Sequence, residues 1–97
     1  MELAAFRAAL GAAAPPDGLR PALVALWWDG RGDWRAAHAA VQAHEGAADA
    51  DWVHAYLHRK EGDLANARYW YRRAGHDPAT GALDSEWETI ATALLAS

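Results

Sequence analysis

His54 and His58 lie one helical turn apart in the run His54-Ala55-Tyr56-Leu57-His58. On a helix, that spacing puts both imidazoles on one face with Cβ atoms ~5–6 Å apart, as two ligands of one metal ion require. It is not the zinc-protease signature, because Ala55 stands where H-E-x-x-H places its general base. Asp51 and Glu61 fall on the same polar face, and His38 or His44 can approach from the preceding helix. A mononuclear metal site, or an enzyme built on one, is therefore one reading. The other is a structural polar face, with each histidine hydrogen-bonded to a carboxylate or a backbone carbonyl.

Other chemistry is thin. Arg68-Tyr69-Trp70-Tyr71-Arg72-Arg73 interleaves rings and cations as base-stacking surfaces do. The chain carries a net charge of −4, however, which opposes binding to phosphate backbones, so nucleic acid is not the expected partner. Trp27, Trp28 and Trp34 bracket a turn and read as packing, each indole N–H seeking a local acceptor. Ser85 and Ser97 are the only serines, and no serine–histidine–acid set can be assembled from them. Gly30-Arg31-Gly32 is too short for a phosphate-binding loop. The absence of cysteine removes disulfides, thiolate nucleophiles and Cys-containing metal or iron–sulfur centres. No catalytic residue is assigned and no cofactor is expected.

These residues need helices to position them. Leu3, Phe6, Leu10 and Ala14 recur at helical spacing before Pro15-Pro16, which predicts a helix over about 2–14. A second helix is expected from about Leu19, with Pro21 in its first turn and Gly30 at its end. Asp33 caps a third, with Trp34, Ala37 and Val41 as its apolar stripe; a fourth runs from about Asp49 or Asp51 to Glu61. Gly62-Asp63 then ends one helix and starts a fifth, which is expected to bury Leu64, Ala67, Trp70, Tyr71 and Ala74 and to stop at Gly75. The sixth, about 84–96, opens with a capping-box spacing at Ser85-Glu86-Trp87-Glu88 and carries the stripe Trp87, Ile90, Ala91 and Leu94. The expectation is a single all-α domain, residues 1–97, of six helices.

An offset of 30 residues superposes Leu23-Val24-Ala25-Leu26 on Val53-His54-Ala55-Tyr56, Gly32-Asp33 on Gly62-Asp63, and Ala37 on Ala67. Small residues recur where paired helices approach closely, and Gly-Asp recurs at the turn. Two hairpin units, about 19–45 and 49–75, are thus expected, flanked by capping helices. At Ala55…Gly62-Asp63-Leu64…Ala67…Tyr71…Ala74 the chain resembles the tetratricopeptide and Sel1-like helical repeats. Its offset is shorter than theirs, and His44 stands where a small residue is usual. The resemblance implies an α-α superhelix acting as a protein or peptide interaction module. The first helix of each hairpin would line a concave groove with Trp52, Tyr56, Arg59 and Lys60, joined by Leu26 and Asp29. Two aromatics beside two cations suit a peptide with an acidic or carboxylate end. Burial of Trp52, Val53, Tyr56 and Leu57 as core is the alternative. Tyr69 falls off the apolar arc, so its ring is either covered by another element or free for a partner, such as a second copy in a homodimer. The start Met1-Glu2-Leu3-Ala4-Ala5-Phe6-Arg7 lacks a secretory pattern and no segment reaches ~18 apolar residues, so no membrane span and a cytoplasmic location are expected.

Overall fold

Asp33 and Asp63 each start a helix in the same way. Asp33 Oδ1 accepts from the Ala36 amide at 3.0 Å and Asp63 Oδ1 from the Asn66 amide at 3.2 Å. The glycine before each aspartate takes a left-handed conformation, φ +81° at Gly32 and +92° at Gly62. The following amide closes back on the preceding helix, from Asp33 to the Trp28 carbonyl at 2.9 Å and from Asp63 to the His58 carbonyl at 3.0 Å. Both turns therefore end one helix and cap the next with matching bonds at the 30-residue offset.

The computed structural model describes all 97 residues and holds six helices and no strand. They are α1 (Leu3–Ala9), α2 (Pro21–Gly30), α3 (Trp34–Gln42), α4 (Ala48–Glu61), α5 (Leu64–Ala74) and α6 (Leu83–Leu95). The fold is all-α. α2 packs on α3 and α4 on α5; α3 meets α4, and α6 lies across α2 and α4 with α1 against it. One continuous core draws on Phe6, Leu26, Val41, Leu57 and Ile90, and a smaller cluster of Ala55, Ala67, Trp70 and Tyr71 joins α4 to α5.

Three local expectations are corrected. α1 stops at Ala9 instead of about 14, because its last carbonyls are taken by side chains from α2 and the turn beyond it. Trp27 Nε1 donates to the Ala9 carbonyl at 2.9 Å, while Arg31 Nη1 donates to those of Leu10 and Ala12, each at 2.8 Å. α6 begins at Leu83, so Ser85 lies inside the helix; Ala82 is the N-cap and makes no side-chain capping bond. Leu64, expected on the buried arc of α5, is 55% exposed in its first turn.

α6 also packs against the surface that was expected to be concave. Trp87, Ile90, Ala91 and Leu94 recur at helical spacing and are all buried, so this face seats on α2 and α4. Trp87 Nε1 donates to the Leu26 carbonyl at 3.0 Å, and its ring stacks on Phe6 of α1. Arg59 Nη1 donates to Glu86 Oε1 at 2.9 Å, and the Tyr71 hydroxyl donates to the other oxygen of the same buried carboxylate. α6 thus covers part of the surface expected to be a groove. No helix is long and apolar enough to cross a membrane.

Candidate functional site

Three imidazoles meet between α3, α4 and α5. His54 and His58 project from α4, one turn apart, and His38 faces them from α3. One ligand nitrogen from each can be chosen so that all lie within 4.8 Å of one another. The tightest pair is His38 Nε2 and His54 Nε2, 3.1 Å apart. Two nitrogens held ~2.0–2.1 Å from one tetrahedral zinc would sit about 3.3 Å apart, so the two rings already have nearly that separation.

Aromatic packing sets these rings in place. Trp34, one turn before His38, lies parallel to its imidazole (centroids 4.9 Å, 7°) and donates Nε1–H to the Leu57 carbonyl at 2.8 Å, pinning α3 to α4. Trp70 of α5 stacks flat on His54 (3.9 Å, 17°), and His58 stacks on its other side (4.9 Å, 26°). The small side chains of Ala37 and Ala67, both buried, let the helices come this close.

The protons can be assigned from partners. Glu61 Oε2 lies 2.6 Å from His58 Nδ1, and an ionised carboxylate only accepts, so Nδ1 carries the hydrogen. Nε2 of His58 is approached only by a long 3.4 Å contact from Asn66 Nδ2. A carboxylate fixing the tautomer of a ligating histidine is the usual supporting arrangement at metal sites. Between His38 and His54 one Nε2–H must donate to the other nitrogen. His54 Nδ1 is buried without a hydrogen-bond partner.

Burial, aided by the neighbouring His58 and His38 and by Arg73, pushes the His54 pKa down to about 3; burial first and then His58 lower that of His38 as well. Both rings are neutral at pH 7, the form that ligates metals. None of the five surface cavities is lined by His38, His54 or His58.

Of the two histidines singled out for metal, both are in the cluster, joined by His38; His44 and Asp51 are not. Asp51 is buried and accepts from the Gly46 amide at 3.1 Å, with Arg73 Nε 3.8 Å from its other oxygen. The residues read as partner-binding are dispersed. Tyr56 is buried and donates to Asp29 Oδ2 at 2.7 Å, while Lys60 donates to Asp29 Oδ1 at 2.9 Å. These two line an opening of about 430 Å³ together with Arg7, Asp84 and Trp87. Trp52 is half-buried and stacks on His76 at 3.7 Å. Leu26 is fully buried, Arg59 is engaged by Glu86, and Tyr69 stands 44% exposed beside Arg73 on α5.

Trp34, Asn66 and Trp70 were not connected with the histidines in the sequence. Trp34 and His38 do share the one-turn spacing of His54 and His58, a signal that was present in the sequence. Compared with known protein families, curated proteins and solved structures, the chain matches none.

Proposed function

We propose that this domain holds one divalent transition-metal ion between α3 and α4, with His38, His54 and His58 as ligands and Glu61 as the residue that orients His58. The observation that supports it is the convergence of three largely buried imidazoles whose ligand nitrogens lie within 4.8 Å of one another. Imidazole nitrogen suits zinc, copper, nickel and cobalt; calcium and magnesium prefer oxygen, which the trio lacks.

Titration of chelator-treated protein with cobalt(II) and zinc chloride, followed by visible absorption and calorimetry, tests this reading. One ion per chain is the expected stoichiometry. His38→Ala should weaken binding strongly, and Glu61→Gln should weaken it about 10- to 100-fold. Heat and absorbance that stay at the level of a triple-alanine variant of the three histidines would end the proposal.

A second reading keeps the resemblance to helical repeats and takes a protein or peptide as partner in the cytoplasm. The opening beside Tyr56, Lys60 and Asp29 favours it, since about 430 Å³ is room for one or two residues of a chain end, though not for an extended peptide. Fluorescence titration with short peptides bearing free or amidated carboxyl ends discriminates: the free end should bind and Lys60→Met should lose it, whereas equal or absent response dismisses the opening. Pairing of two copies through the exposed Tyr69 ring belongs to the same reading, and sedimentation of wild type against Tyr69→Ala tests it.

A further inference from the structure

Resting on the ion-binding reading above, we infer that the ion is a removable staple between the two helical hairpins. The ligands come from both sides of the hairpin junction. His38 belongs to α3, paired with α2, whereas His54 and His58 belong to α4, paired with α5. An ion held by all three therefore spans the junction, which a chain without cysteine cannot do with a disulfide.

The two edges of this junction are built differently. On the α2 side, Asp29 accepts from both Tyr56 and Lys60, and α6 lies across the pair. Every one of those buried polar atoms has a partner. On the α3 side, the side-chain hydrogen bonds across the junction are Trp34 to the Leu57 carbonyl and the bond between His38 and His54. There His54 Nδ1 is the one buried side-chain nitrogen or oxygen in the protein with no partner. His54 is 2% exposed.

The staple also follows from linkage. An ion that binds only the folded protein raises the folding constant about 100-fold when free at 100 times its Kd. It should slow local opening of α3 and α4 together, since both supply ligands.

Hydrogen exchange and chemical unfolding of the full chain, with zinc chloride or with chelator, test this alongside calorimetry. Zinc should protect the amides of both Trp34–Gln42 and Ala48–Glu61. His54→Leu should lose that response. His38→Gln should confine any remaining protection to α4. Stoichiometric zinc binding with protection limited to α4 in the wild type would overturn the staple while leaving ion binding intact. Absence of zinc binding altogether would remove the underlying reading.

Discussion

Asp29 shows how much one carboxylate can organise. Its oxygens are divided between the Tyr56 hydroxyl at 2.7 Å and the Lys60 ammonium at 2.9 Å, and its side chain is almost wholly buried. Tyr56→Phe removes one donor and leaves the acceptor buried, so it should cost about 1–3 kcal/mol in urea unfolding. Burial, with the bond to Asp29, raises the Tyr56 pKa above its ordinary value, and burial with the bond to Glu86 does the same for Tyr71. The folded chain thus keeps protons that the unfolded chain releases above about pH 10. Stability should be unaffected by these groups below that pH and fall as pH rises beyond it, which denaturation at pH 8 and pH 11 measures. Residue-scale chemistry was partly legible. The spacing of His54 and His58 pointed to a shared face, but the choice of His38 over His44, and the stacking of Trp34 and Trp70, depend on how α3 and α5 dock. Asp51, grouped with the histidines by angle alone, turns instead to the Gly46 amide.

Helix ends were the most readable features because their chemistry is local. Asp33 and Asp63 cap α3 and α5 with matching bonds, so Asp33→Ala and Asp63→Ala should each cost ~1 kcal/mol, measured as similar losses in thermal unfolding. Gly62 ends α4 at φ +92° with open space around a would-be Cβ. Gly62→Ala should therefore destabilise by about 1–2 kcal/mol through backbone conformation alone. Where the expectation failed, a distant residue was the reason. α1 ends early because Trp27 and Arg31 claim the carbonyls at its end, and no pattern within residues 2–14 announces that. The serine of the supposed capping box lies within α6 because Leu83 packs against the core and the helix starts there.

At the scale of the molecule, the amphipathic stripe of α6 was legible but its destination was not. Any apolar groove of suitable width would accept Trp87, Ile90 and Leu94, and only the assembled α2 and α4 show that this one does. The resulting core is continuous from Phe6 to Leu94. Circular dichroism and tryptophan fluorescence should accordingly report one coincident unfolding transition for the metal-free chain, and separated midpoints would refute that. The bond from Trp87 to Leu26 also joins positions 61 residues apart, whereas each aspartate cap closes over only three. Contacts of such unequal reach form at different times, because distant ends must find each other against a larger loop entropy. The hairpin turns are the early events and the seating of the last helix the late one. Weakening Trp87 should thus quicken the escape from the native state far more than it slows the approach to it, which makes α6 the latch that sets the lifetime of the folded chain.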